Sequence, residues 1–126
     1  MSVLVDSSIW VDHFRYGNEH LVTLLHAGLV ACHPFVILEL ACGTPPDRQE
    51  ILDYLSDLQT IPVLTHDELL HFIHSHKIFG RGCGMVDVAL LAAVMVAPGT
   101  RLWTADKRLH TVAERLGCAY LPPRTT

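Results

Sequence analysis

The feature that most constrains the fold is the alternation of short apolar segments with longer helical patterns along the whole chain. Parallel β-strands need long crossover connections, and helical crossovers cover the two faces of the sheet. We therefore predict a three-layer α/β/α sandwich with a central, mainly parallel sheet of about five short strands. The strand segments are residues 3–5, 30–32, 61–64, 101–104 and 119–121.

The segments between these strands have helical periodicity, and glycine or proline marks most of their ends. The segment 86–96 is almost wholly apolar, so we expect a central, buried helix there. The chain of 126 residues is long enough for one core, and residues 1–126 are predicted to form a single domain. Helices are predicted over residues 9–14, 19–27, 35–41, 47–58, 65 or 66 to about 79, 86–96 and 106–116.

Composition limits the classes of function. Hydrophobic residues make up 50% of the chain and charged residues 17%, which is typical of a globular protein. No apolar run reaches the roughly 20 residues of a membrane span, and the first residues do not resemble a signal peptide, so we expect a cytoplasmic protein without a membrane partner. A net charge of -4 disfavours broad electrostatic attraction to nucleic acid. Binding of RNA by such a chain would require a local basic rim and a cation bound by the acids.

Four carboxylates stand out against apolar surroundings. Asp6 and Asp106 follow the first and fourth predicted strands, so they lie at the edge of the sheet where open α/β folds bind ligands. Glu39 and Asp87 occupy helices that are otherwise suited to burial, where an unpaired acid is costly. Each aspartate alone is equally well explained as a helix cap. Together the four predict one acidic site, in which a hard divalent cation offsets the repulsion.

Such a cluster suits phosphodiester hydrolysis, with Mg²⁺ as the expected cofactor and Mn²⁺ as a substitute. The hydroxyls of Ser7, Ser8 and Thr104 are placed to support the site, although capping explains them equally well. Basic side chains near Asp106 are candidate phosphate contacts at the rim, with an ordinary exposed helix start as the alternative. They are Arg101, Lys107 and Arg108; other arginines, among them Arg81, cannot be ranked from the sequence.

Four motifs place these acids in a pattern that covers nearly the whole chain: V-L-V-D-S-S at 3–8, L-E-L-A at 38–41, G-C-G-M-V-D-V-A-L-L-A at 82–92 and L-W-T-A-D-K-R-L at 102–109. The pattern resembles the PIN-domain ribonucleases, in particular VapC-type toxins of type II toxin–antitoxin systems. The resemblance implies Asp6 and Asp87 as the principal metal ligands, with Glu39 and Asp106 completing the site directly or through water.

The resemblance also implies endonucleolytic cleavage of RNA that leaves a 3′-hydroxyl and a 5′-phosphate, homodimerisation, and neutralisation by a small VapB-like antitoxin. In family members the antitoxin commonly lies along a groove. Trp10, Phe14 and Phe35 flank the acid-bearing segments and are candidate groove residues, but aromatic residues at helical spacing are more often part of the core.

Two other functions stay open. An Asp-dependent phosphatase also has an aspartate after its first strand, but the common pattern has a second acid where this chain has Ser8. A non-catalytic PIN-like module for binding or dimerisation would not need all four acids. The RNA that is cleaved and the number of metal ions cannot be predicted, because specificity depends on the rim around the acidic centre.

Overall fold

The structure is a computed structural model and describes residues 1–123 of the chain. Within these residues, four strands alternate with seven helices. The strands are β1 (Ser2–Val5), β2 (Val30–Cys32), β3 (Gln59–Thr60) and β4 (Thr100–Trp103). The helices are α1 (Ser7–Tyr16), α2 (Glu19–His26), α3 (Pro34–Ala41), α4 (Arg48–Asp57), α5 (His66–His76), α6 (Met85–Val96) and α7 (Lys107–Arg115).

All four strands run parallel, in the order β3-β2-β1-β4, with helices packed around the sheet. This confirms the predicted α/β sandwich. The chain leaves β1 toward β2 on one side and returns to β4 on the other, so the order of strands reverses at β1. Open parallel sheets form a crevice at the carboxyl ends of the strands at such a point. Asp6 directly follows the last residue of β1.

The predicted fifth strand at 119–121 is reduced to a single bridge. Ala119 pairs with Leu102, and the Tyr120 N–H donates to the Leu102 carbonyl at 2.8 Å. Two consecutive prolines, Pro122 and Pro123, follow directly and have no N–H with which to extend the pairing.

The third strand lies at Gln59–Thr60 and not at the predicted 61–64. The Ile61 N–H still donates to the Cys32 carbonyl at 2.9 Å, but the next residue is Pro62, which lacks a donor. Helix α5 ends at His76, earlier than the predicted 79, because Lys77 adopts a left-handed conformation with φ of 54°.

The core extends over the sheet and includes buried side chains from all seven helices. All three residues Val3–Val5 are fully buried, and α6 is buried from Val88 to Val94, as its apolar sequence predicts. Trp10 is also part of the core, whereas Phe14 and Phe35 are half-buried. Within residues 1–123, no helix combines the length and the hydropathy that crossing a membrane requires.

Candidate active site

Asp6 is the most firmly held of the four acids. It is only 6% exposed and caps the start of α1, where its Oδ1 accepts the Ser7 N–H at 2.8 Å. Its Oδ2 accepts the hydroxyls of Ser8 at 2.8 Å and of Thr104 at 2.7 Å. These bonds tie the end of β1 to the start of α1 and to the segment after β4. Asp6 is therefore fixed before any ligand binds.

The segment after β4 is folded onto the same hydroxyls. The Ala105 N–H donates to Ser8 Oγ at 3.0 Å, and the Asp106 N–H donates to Thr104 Oγ1 at 3.0 Å. Asp106 then caps α7, with Oδ1 accepting the N–H groups of Arg108 and Leu109. Asp106 can therefore cap α7 and also take part in the acidic site, because the cap uses only one of its two carboxylate oxygens.

Glu39 reaches the site from α3. Its Oε1 accepts the Ser7 hydroxyl at 3.0 Å, which links it to the residue beside Asp6. The residue as a whole is exposed, but its carboxyl group lines the cleft beside the other acids. Partial burial of this carboxyl raises the pKa of Glu39, the Ser7 bond opposes the shift, and the charges of Asp6 and Asp87 raise it further.

Asp87 reaches the site from the first turn of α6. Its Oδ2 accepts the Gly84 N–H at 3.3 Å, which closes the turn that starts the helix. Burial is the main cause that raises the pKa of Asp87; the Gly84 bond lowers it, and the charges of Asp6 and Asp106 raise it. The carboxylates are therefore close enough to repel one another.

All four predicted acids line one cleft of about 460 Å³. The rest of its lining is Ser7, Ser8, Val11, Asp12 and Ala105. Asp12 is a fifth acid that the sequence reasoning missed. A signal was present, because Ser8 and Asp12 are four residues apart on α1 and so share one helix face. Thr104 supports the cleft through its bond to Asp6 and does not itself form the lining.

The donor set fits a hard divalent cation. Glu39, Asp87 and Asp106 each have one oxygen held by a hydrogen bond and a second that accepts none within residues 1–123. Oxygen ligands with net negative charge are what Mg²⁺ and Mn²⁺ prefer. No three Asp, Glu, His or Cys side chains of the described chain lie as close as the ligands of one ion. In this arrangement at most two of these side chains could contact one ion directly, and water would have to supply its remaining ligands.

The basic residues predicted at the rim divide into two groups. Lys107 and Arg108 line a second cleft together with Arg81 and Arg115, and this cleft runs along α7. Arg101 is exposed on β4, where its Nη1 donates to the Ala119 carbonyl at 3.3 Å, and it lines neither cleft. The sequence reasoning did not single out Arg115.

The fold and this acidic crevice together define a protein of the PIN-like class. The solved structure of PAE2754 from Pyrobaculum aerophilum superposes with a TM-score of 0.59, covering 92% of this chain and 93% of that one. At 20% sequence identity this similarity concerns the fold alone. No protein-family model matches the chain.

Relatives with similar sequences define the family. The chain is 44% identical over 117 residues to the protein named ribonuclease VapC32 in two strains of Mycobacterium tuberculosis, which covers 93% of this chain and 94% of the relative. The chain therefore belongs to the VapC family of PIN-domain proteins. This confirms the resemblance inferred from the four sequence motifs.

Proposed function

We propose that the protein is a metal-dependent endoribonuclease that acts as the toxin of a toxin–antitoxin pair. The observation that supports this most directly is the convergence of Asp6, Glu39, Asp87 and Asp106 on one cleft at the switch point of the sheet. The name of the M. tuberculosis relatives, ribonuclease, supports the same activity. The substrate class is RNA, and the reaction is hydrolysis of a phosphodiester bond.

Asp6 and Asp87 would hold Mg²⁺ or Mn²⁺, and Glu39 and Asp106 would complete the site directly or through water. When bound, such an ion lowers the pKa of water and offsets negative charge on the phosphate. Three of the approximately four lone-pair positions of Asp6 are used in hydrogen bonds, which leaves one on Oδ1. The same three hydrogen bonds hold the Asp6 side chain in place and so fix the direction of the remaining lone pair.

Glu39 is suited to accept the proton of the attacking water, because its carboxylate lines the cleft and one of its two oxygens accepts no hydrogen bond within residues 1–123. Ser7 would orient it through the 3.0 Å bond. The water oxygen forms a new bond to phosphorus, the bond from phosphorus to the 3′ oxygen breaks, and that oxygen takes up a proton. The products are a 3′-hydroxyl and a 5′-phosphate.

The proposed partner is a small VapB-like antitoxin. A groove of about 470 Å³ adjoins the acidic cleft and shares Val11 and Glu39 with it. Its other lining residues include Phe14, Arg15 and Leu40. A mainly apolar groove next to the acidic cleft suits an amphipathic segment with a basic residue directed at the acids. Homodimerisation and a cytoplasmic location complete the proposal.

The test is incubation of the purified, antitoxin-free protein with total cellular RNA in Mg²⁺, Mn²⁺ or EDTA. We expect discrete fragments in the metal-containing samples, and their loss in EDTA and in the variants Asp6→Asn and Asp87→Asn. Asp57→Asn is the matched control, because Asp57 is exposed at the end of α4 and lines neither cleft. It should cleave like the wild type.

The same samples separate the alternatives. Fragments that survive in both variants would exclude this acidic cleft as the site of cleavage. Release of inorganic phosphate without shortening of the RNA would indicate a phosphatase. A biological effect that Asp6→Asn leaves unchanged, without any cleavage, would favour the non-catalytic module.

A further inference from the structure

The second cleft concentrates positive charge in a chain that is acidic overall. It has a volume of about 340 Å³ and lies between the loop after α5 and helix α7. Four of the nine lysines and arginines of the chain line it, whereas no acid does. Its lining consists of Gly80, Arg81, Lys107, Arg108, Thr111, Val112 and Arg115. We refer to these seven residues as the basic cleft.

Two of the arginines are anchored to the end of α5. Arg81 Nε donates to the Lys77 carbonyl at 3.1 Å, and Arg115 Nη2 donates to the His76 carbonyl at 2.7 Å. Each bond uses one donor of a guanidinium group and leaves the others for a ligand. Within residues 1–123, no carboxylate forms an ion pair with any of the four cations. The positive charges of these four side chains are therefore not neutralised by a carboxylate among the described residues.

Arg108 is held by close packing against the loop. Gly82 has a φ of +77°, and a β-carbon at this position would lie 2.8 Å from Arg108 Cδ and 3.2 Å from its Nη1. Only glycine adopts this conformation readily and leaves the arginine its space. The backbone at Gly82 therefore lets the Arg108 side chain lie directly against it, which restricts the side chain.

We propose that the basic cleft binds backbone phosphates of the RNA substrate on one side of the bond that is cleaved. The inference rests on the proposed ribonuclease function. Asp106 lines the acidic cleft, and the next two residues, Lys107 and Arg108, line the basic one. One RNA strand can therefore occupy both clefts across the first turn of α7. Guanidinium groups match phosphate with paired hydrogen bonds, which gives affinity that does not depend on sequence.

An RNA strand also explains why a basic cleft lies beside an acidic one, which an acidic protein segment would not explain. A protein segment seated in the basic cleft has no need of the acidic cleft beside it, whereas a nuclease must hold flanking phosphates and the reacting one at the same time. The local positive charge further explains how a chain of net charge -4 approaches a polyanion.

The test measures binding without cleavage. Fluorescence anisotropy of a short, labelled, single-stranded RNA of mixed sequence is recorded in EDTA at several salt concentrations. Arg115→Gln is compared with Arg48→Gln, because Arg48 also donates one bond of 2.7 Å to a backbone carbonyl, that of Ala41, and lines neither cleft. Glutamine is uncharged and shorter than arginine but still has an N–H donor, and the change is the same at both positions. Arg81→Gln is a second, independent variant, and thermal melting establishes that each variant is folded.

We expect Arg115→Gln and Arg81→Gln to bind more weakly than Arg48→Gln. Each should also make the plot of log K against log salt shallower by about 0.7, the value for one phosphate contact on a single strand. Equal binding by all variants and the wild type would overturn the proposal. So would tighter binding of polyglutamate than of RNA, since that would indicate an acidic protein partner.

Cleavage of total RNA by the same preparations separates this inference from the proposed function. A wild type that cleaves, with cleft variants that bind RNA normally, would refute the basic cleft alone. A wild type that never cleaves, with cleft variants that bind RNA weakly, would refute the ribonuclease and support an RNA-binding cleft.

Discussion

Replacement of Thr104 by valine tests whether the hydroxyl network around Asp6 positions the active site. Thr104 is 7% exposed, and its Oγ1 donates to Asp6 Oδ2 at 2.7 Å while accepting the Asp106 N–H at 3.0 Å. Valine has nearly the same shape and can make neither bond. A hydrogen bond to a charged group contributes about 1.5–3 kcal/mol, and the Asp106 N–H also loses its acceptor. We therefore expect the free energy of unfolding to fall by roughly 2–3 kcal/mol.

For a domain of this length, such a loss lowers the Tm by roughly 5–15 °C, which differential scanning calorimetry measures directly. Asp6 keeps the bonds from Ser7 and Ser8, so the site should survive in a looser form. Loss of a group that orients a metal ligand typically costs about 10- to 100-fold in activity or metal affinity. We expect RNA cleavage to fall by a factor in this range.

Two controls isolate the hydroxyl. Thr104→Ser keeps it and removes one buried methyl group, at a cost of about 1 kcal/mol, and should cleave RNA almost like the wild type. Thr23→Val removes an exposed hydroxyl that donates to the Glu19 carbonyl at 3.1 Å on α2, and should change little. If Thr104→Val melts no lower than Thr104→Ser and cleaves RNA equally well, the network does not position Asp6 and the reasoning is wrong.

Further predictions concern the acids and the core. Asp87→Asn should raise the Tm in EDTA at neutral pH, because burial raises the pKa of Asp87 and the fold disfavours its charge; an unchanged or lower Tm would contradict this. The pKa values of Glu39 and Asp87 are raised in the folded protein, so the folded protein keeps protons that the unfolded chain has already released. The wild type therefore loses stability as the pH rises from the ordinary pKa values to the raised ones. Over this range, the Tm of the double variant Glu39→Gln/Asp87→Asn should increasingly exceed that of the wild type. A gap that shrinks would refute the sign. Saturating Mn²⁺, at about 100 times its Kd, should stabilise the wild type by about 2.7 kcal/mol but not Asp6→Asn, as measured by thermal melting. Leu90→Ala, at a fully buried site in α6, should cost about 2–5 kcal/mol in denaturant unfolding, and a cost below 1 kcal/mol would argue against this packing.

The order of elements could be predicted from the sequence because each strand and helix has a local pattern. The apolar run of α6 and the short strands β1 and β2 are examples, and their positions agree with the structure to within one residue. The errors have local causes that periodicity does not detect. Pro62 stops a strand that apolar composition favours, and left-handed Lys77 ends α5 early.

The convergence of the acids on one cleft could be predicted because Asp6 and Asp106 follow strands that end at the same edge of the sheet, while Glu39 and Asp87 are anomalous in apolar helices. Glu39 is the only acid on α3, and Asp87 is the only acid on α6, where it precedes seven buried residues. Of the four cations in the basic cleft, the sequence singles out only Lys107 and Arg108, which follow Asp106 directly. Arg81 and Arg115 lie in ordinary polar segments, and only the packing of the loop after α5 against α7 brings them together.

The separation of charge into two adjacent clefts explains how a chain with a net charge of -4 could bind RNA. Net charge determines long-range attraction, but binding depends on the field at the contact surface. Here the first turn of α7 divides the two fields, since Asp106 lines the acidic cleft and Lys107 and Arg108 line the basic one. A bound divalent ion would offset part of the negative charge of the acidic cleft and so weaken its repulsion of phosphate. RNA affinity should therefore depend on metal far more strongly than it would for a uniformly basic protein.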